Sequence, residues 1–376
     1  MQVKPFKAIY PDFDLIAAPD LFCDEAKHLF PDFKQSGFYK QFSQRALYIY
    51  QIETSARKHT GLIALDEIEE FFAGKMKKHE KTLDAGARQH LDLLLTWNAI
   101  LKPILLTYRP VPEVQAFLEQ VTRRNAPLFS ARFVKNGQTH RIWTVADAET
   151  IAHIQALFST HVHSTYIADG HHRTATIALL HDQYSAQYPE FDFDNLHCAF
   201  FSGDQLDIMD YNRVITGVET DPLQLLSKVF DITPLDALRK PAGKFEVCCY
   251  TGGASYALRW KQEILDAYPS DTVLLDAALL NERVLRDLFR IENAETAPRI
   301  LYVEGRKGLE GIVKSTESGP DRIGFALYPV AFEDMMGLAD RGESLPPKST
   351  YFEPRLKSGL LVKILSRDGD TVTQKH

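Results

Sequence analysis

Cysteine is scarce in this chain: Cys23, Cys198, Cys248 and Cys249 are the only four in 376 residues. None is spaced C-x-x-C, so the sequence offers no zinc knuckle or dithiol redox pair. So few in so long a chain also exclude a disulfide-stapled miniprotein. Cys248 and Cys249 are adjacent in FEVCCYT. A strand there points them to opposite faces, as small buried hydrophobes of a reducing compartment. Long apolar runs are missing too: nothing approaches the roughly 18–20 apolar residues of a membrane span. The opening MQVKPFKAIYPDFD lacks the basic-then-apolar pattern of a secretory signal. The expectation is a soluble cytoplasmic protein with no membrane partner. Positive charge is not in excess, since 43 Lys and Arg face 50 Asp and Glu for a net charge of −7. That argues against the basic face of a nucleic-acid coat, so nucleic acid is not the expected partner.

What is present is an ordinary globular composition, with 45% hydrophobic and 25% charged residues. At roughly 100–200 residues per domain, two domains are expected. We place them at 1–220 and 221–376. ALYIYQIET (46–54) alternates like a strand and opens a hairpin, followed by helix-like sequence over 61–71. The stretch 79–98 reads as helix and PILLTY as a strand. Two β-rich runs flank Asn136-Gly137, a favoured two-residue hairpin turn. The stretch 148–160 is an amphipathic helix. Further on, helices are expected at 222–229, 272–291 and 330–341, and strands at FEVCCYT, SYALRW, RILYVE, RIGFALYP and GLLVKIL. Hairpins without regular strand–helix alternation indicate an α+β fold with mixed sheets and helices.

The segment STYIADGHHRTATIA (164–178) carries the chemistry. A strand, a short polar turn and a helix are expected in that order. Gly170 permits a tight turn and close approach to a ligand. The helix start supplies unpaired N–H groups and the positive end of the macrodipole, an anion site. His171, His172 and Arg173 crowd cationic groups where the dipole disfavours them, which makes sense if a phosphate is normally bound there. Arg173 suits bidentate phosphate binding and His172 a proton shuttle. Asp169 is a candidate base, or a ligand of Mg²⁺ carried by a nucleotide. The structural alternative is an Asp N-cap with exposed histidines. A metal alternative groups His161 and His163 with Asp169, His171 and His172 as a three-ligand site.

YIADGHHRTATIA, KPFKAIYP at the start, GLIAL…HEKTL…R…LL…N…P.LL.Y from Gly61 to Tyr108, RIWTV, and LPPKSTYFEPRLKSGLL near the end together resemble one family, domain of unknown function 1015 (DUF 1015). The likeness runs over nearly the whole chain. It departs at IMDYNRVI, where many relatives carry Thr-His-Arg. Here Asp210 and Asn212 precede Arg213, so the arginine is kept and the histidine is not. The DGHHR loop is also similar to the phosphate-gripping loops of the ParB/sulfiredoxin superfamily, which includes free-serine kinases with an Asp-Gly-x-His-Arg loop. That resemblance implies a ParB/sulfiredoxin-like strand–loop–helix core plus a C-terminal α+β part. It carries over only to Asp169, Gly170, His172 and Arg173.

In the HEKT step, His79 and Lys81 are expected to meet phosphate, with Glu80 as base or metal ligand. Arg88 shares the helical face of Lys81. Arg213 is a further phosphate candidate. So is the proline-led loop LPPKSTYF, which offers Lys348, Ser349 and Thr350 and is expected to fold back over the DGHHR loop. The expected function is phosphoryl transfer, or its reverse, between a nucleotide (ATP or ADP with Mg²⁺) and a small metabolite, with a serine-like acceptor. The alternatives are a nucleotide-responsive, partition-like nucleic-acid binder and a histidine-ligated metal-dependent hydrolase.

Overall fold

The chain is seen here as a computed structural model, which describes residues 1–80, 93–218, 221–270 and 272–367. Its central strand is Lys58–Glu67, buried along almost its whole length. It runs antiparallel to Leu47–Glu53 on one side and to Asn195–Ser202 on the other. A strand flanked on both edges and covered on both faces loses its polar alternation. This is why GLIALDEIEEF, helix-like in sequence, is strand through Glu67 and helix only at Ile68–Phe72. Gly61 permits the pairing: a Cβ there would lie 2.5 Å from the carbonyl oxygen of Phe200 and 2.6 Å from the ring of Phe201.

Around that strand the described residues form an eight-stranded sheet. In spatial order it is Met76–Lys77, Thr165–Asp169, Ile104–Tyr108, Asn195–Ser202, Lys58–Glu67, Leu47–Glu53, Gln138–Val145 and Phe129–Phe133. The last two are the hairpin about Asn136-Gly137. Phe133 pairs with Gln138, so four residues form its loop rather than two, and only Gly137 takes a positive φ, of 67°. Helices Pro112–Arg124 and Ala148–His161 place Val114, Leu118, Ile154 and Phe158 in the core under the sheet. A second, four-stranded sheet has the order Tyr39–Gln41, Ala8–Pro11, Val362–Ile364 and Ala99–Ile100. Lys363 on its third strand is buried. Its ammonium donates to the backbone carbonyls of Asp192 and Asn195 and pairs with the Asp192 carboxylate at 2.9 Å. These partners are what make a buried lysine tolerable.

The chain divides into two compact units, one of Met1–Asp207 with the stretch from Pro354, the other Ile208–Glu353. The sequence expectation put the boundary at 220 and gave the C-terminal stretch to the second domain. The observed division falls thirteen residues earlier by that numbering, 220 − 207. The second unit is built on a six-stranded antiparallel sheet with the order Phe230–Leu235, Ala254–Trp260, Glu246–Thr251, Ile323–Ala326, Tyr211–Ile215 and Ile300–Glu304. Here Cys248 packs with Val214 and Ile312, while Cys249 packs with Leu258 and Ile323 in a separate core cluster. The two thiols thus lie on opposite faces, as strand geometry requires. Both units mix sheet and helix, and the fold class is α+β.

Candidate functional site

The site is set by the direction of three short strands. Thr165–Asp169 runs parallel to Met76–Lys77, with Thr165 opposite Met76 and Tyr166 opposite Lys77. Parallel neighbours deliver their following residues to the same end of a sheet. His79 and Glu80 therefore emerge beside Asp169, Gly170 and His171. On the other side Thr165–Asp169 runs antiparallel to Ile104–Tyr108, so the residues preceding that strand, Lys102 and Pro103, reach the same end.

Gly170 ends the strand with φ 110° and ψ 23° and stands at the N-cap of helix His171–Tyr184. Among the described residues no side chain caps this helix, and its first turn holds no acid. Thr174 returns its amide and its hydroxyl to the carbonyl of Gly170. The helix begins at His171, earlier than the DGHHR loop suggests in sequence, because the left-handed glycine completes the turn within one residue.

The three residues after Gly170 do not share one environment. His171 is buried at 6% exposure, His172 is exposed, and Arg173 lies between. Arg173 donates from Nη2 to the carboxylate of Asp169 at 3.1 Å and to the carbonyl of Pro103 at 3.4 Å. Lys102 holds the same Asp169 oxygen at 2.8 Å. Burial alone would raise the Asp169 carboxyl, but the charges of Arg173 and Lys102 outweigh it and hold the group well below the usual carboxylate range. Burial lowers the Lys102 ammonium. Asp169 is thus committed to two cations, and its surroundings run against the expectation that it meets Mg²⁺ or takes a proton. Lys102 is the residue that sequence reasoning missed. Its signal was its position just before PILLTY, which becomes informative only once that strand is known to pair with Thr165–Asp169.

His171 turns the other way. Its Nδ1 lies 3.5 Å from Oε2 of Glu80, and its ring meets that of His79 edge-on, with centroids 4.6 Å apart and planes at 83°. His79 is fully buried. One ligand atom from each of His79, Glu80 and His171 can be chosen so that all lie within 4.8 Å of one another. Burial pushes the His171 imidazole down to about 4 and drives His79 down as well. The expected phosphate contact through His171 and His79 is therefore corrected: both face inward, to a carboxylate and to each other. His161 and His163 are exposed and do not join them. Lys81 and Arg88 lie outside the described residues.

The remaining candidates belong to the second unit. Arg213 is fully buried, its guanidinium 5.5 Å from the centre of the Tyr302 ring and donating to the carbonyl of Tyr211. Lys348 is exposed and lies over the Tyr211 ring at 5.6 Å. Ser349 is buried and donates to the carbonyl of Pro346 at 2.6 Å, and Thr350 is buried beside it. Tyr211 and Tyr351 meet edge-on at 5.8 Å. Arg213 and the LPPKSTYF loop thus come together around Tyr211. Only Lys348 among them presents its charge outward; the Ser349 hydroxyl expected to meet an anion is turned to its own loop.

The sequence pattern of a family described as a protein of unknown function (DUF1015) matches residues 7–283. No protein with a curated description matches the chain. Among solved structures, a variant of a free serine kinase in complex with ADP is similar over 81% of this chain and 92% of its own, at 15% identity and a TM-score of 0.41. SbnI with a C-terminal truncation, from Staphylococcus aureus, is similar over 82% and 91%, at 10% identity and a TM-score of 0.42. A conserved hypothetical protein from Pyrococcus furiosus is similar over 80% and 95%, at 15% identity and a TM-score of 0.36.

Proposed function

The chain belongs to the DUF1015 family of proteins of unknown function, and we propose that it handles phosphate, moving a nucleotide's terminal phosphoryl group to or from a small polar metabolite. The observation that carries this reading is the start of helix His171–Tyr184: an uncapped helix end, opened by a left-handed glycine, with two cations gathered beside it on Asp169. Free N–H groups and the dipole favour an anion there. Lys102 and Arg173 together exceed the single charge of Asp169, so positive charge is left on that side of the helix opening, while the Glu80 carboxylate stands on the other, beside His171.

In the transfer direction, the acceptor's hydroxyl oxygen forms a bond to the terminal phosphorus as the bond to the bridging oxygen breaks. The electron pair leaves with the shortened nucleotide, a diphosphate from ATP or a monophosphate from ADP, and the hydroxyl proton passes to a base. Such chemistry needs positioning and charge neutralisation more than covalent help. With Asp169 holding its cations, Glu80 is the carboxylate for the proton or for an ion. Exposed His172, at the helix opening, contacts the phosphate. Mg²⁺ arrives with ATP or ADP, and a serine-like hydroxyl compound is the acceptor.

Isothermal titration with ATP, ADP and phosphoserine, with and without Mg²⁺, tests this. At least one should bind, and Arg173→Ala should weaken it roughly ten- to a hundredfold, the value of a charge-assisted hydrogen bond. No binding of any of them, or equal binding by the variant, would refute the assignment.

A further inference from the structure

We propose that His79, Glu80 and His171 form a binding site for one divalent transition-metal ion of the zinc, cobalt or manganese type. Two observations carry it. The ligand atoms converge: all three lie within 4.8 Å of one another, and Nδ1 of His171 is 3.5 Å from Oε2 of Glu80. A tetrahedral ion with bonds of about 2.0–2.1 Å separates its ligands by about 3.3 Å, so this pair already stands at the required spacing and the widest needs to close by about 1.5 Å. The site is also built into the sheet rather than hung on a loose loop. His79 and Glu80 follow the strand Met76–Lys77, His171 follows the parallel strand Thr165–Asp169, and that pairing fixes their relative position.

The donor set selects the ion. Two imidazoles and one carboxylate suit Zn²⁺, Co²⁺, Mn²⁺ or Fe²⁺, whereas Mg²⁺ and Ca²⁺ take oxygen ligands. Three protein ligands leave open positions, the pattern of catalytic rather than structural sites. Those positions lie next to the opening of helix His171–Tyr184, where water or a phosphoryl oxygen can complete the shell. The inference deepens the preceding reading at Glu80, and ligation through one carboxylate oxygen is compatible with proton transfer at the other. Its test needs no phosphate at all.

The full-length protein is stripped with a chelator, dialysed and titrated with Co²⁺, reading the visible absorption of the bound ion, and with Zn²⁺, reading bound metal by elemental analysis after gel filtration. One equivalent is expected for the unmodified chain and for the control variant His181→Gln, a half-buried histidine outside the cluster. Glu80→Gln and His171→Gln should bind at least tenfold more weakly, with circular dichroism confirming that each is folded. If either fails to fold, His79→Gln takes its place. Arg173→Ala should retain the metal while losing phosphate, so a failure of the phosphate reading is distinguishable from a failure of this one. Absence of stoichiometric uptake by the unmodified chain overturns the proposal, as does unchanged uptake by the folded ligand variants.

Discussion

Gly170→Ala tests the geometry on which the whole site turns. The residue holds φ 110°, a conformation that L side chains rarely adopt, and placing alanine there costs about 1–2 kcal/mol in backbone strain. The new Cβ would also stand 2.7 Å from Nη2 and 3.1 Å from Nε of Arg173. The guanidinium is the end of a flexible side chain, so it gives way and its 3.1 Å contact with Asp169 is lost. That pair is about one-third exposed on each side, and such partly solvated pairs are worth at most about 1 kcal/mol. The sum is roughly 2 kcal/mol, or a fall of about 4–8 °C in melting temperature for a unit of this size. Urea denaturation followed by circular dichroism measures it. Repeating the substitution in an Arg173→Ala background separates the two contributions, because strain persists there and the displaced contact does not. Weaker binding of ATP or phosphoserine should accompany the displaced arginine. If Gly170→Ala is as stable as the unmodified chain and binds phosphate equally well, the argument from this turn is wrong.

Two further outcomes follow from burial. Burial holds His140 and His197 down to about 3, well under the usual 6.5 of a histidine, so above pH 6.5 neither contributes a pH dependence. Below that the unfolded chain takes up protons that the folded chain refuses, and stability falls by roughly 2 kcal/mol per histidine between pH 6.5 and 4.5. Urea midpoints across that interval should drop, and less steeply for His140→Gln; a flat profile would contradict the burial argument. Gly61→Ala should cost more than Gly170→Ala, because its Cβ meets a backbone carbonyl at 2.5 Å that has no rotamer to escape into, and overpacking of this kind costs about 1–3 kcal/mol or more. Equal stability of the two variants in the same denaturation would count against that ranking.

How much of this was legible in the sequence depends on the range of the interaction involved. YIADGHHRTATIA announced strand, turn and helix in the right order, because a glycine turn and a helix opening are local matters. Cys248 and Cys249 were placed on opposite faces by strand periodicity alone. GLIAL misled, since its continuous apolar character reflects neighbours on both sides and Ile68–Phe72 follows it directly. The helix expected over 272–291 is α-helical at Asp276–Leu279 and π-helical over Leu280–Arg286, a change of winding that no propensity marks. At the site, composition suggested that the residues after Gly170 act together. The structure separates them, because Lys102 draws Arg173 with Asp169 to one side and Glu80 meets His171 on the other. Both partners come from distant strands, and their arrival depends on a parallel pairing that period and propensity do not encode.

The strand Val362–Ile364 lies between Ala8–Pro11 and Ala99–Ile100, so a piece made late in synthesis is wedged between two made early. Until that strand is in place, the small sheet has a gap in its middle. The continuous segment Ile208–Glu353 already has all it needs to close on itself. Assembly should therefore run with the unit Ile208–Glu353 setting first and the other sealing last, when Lys363 slides in beside Asp192.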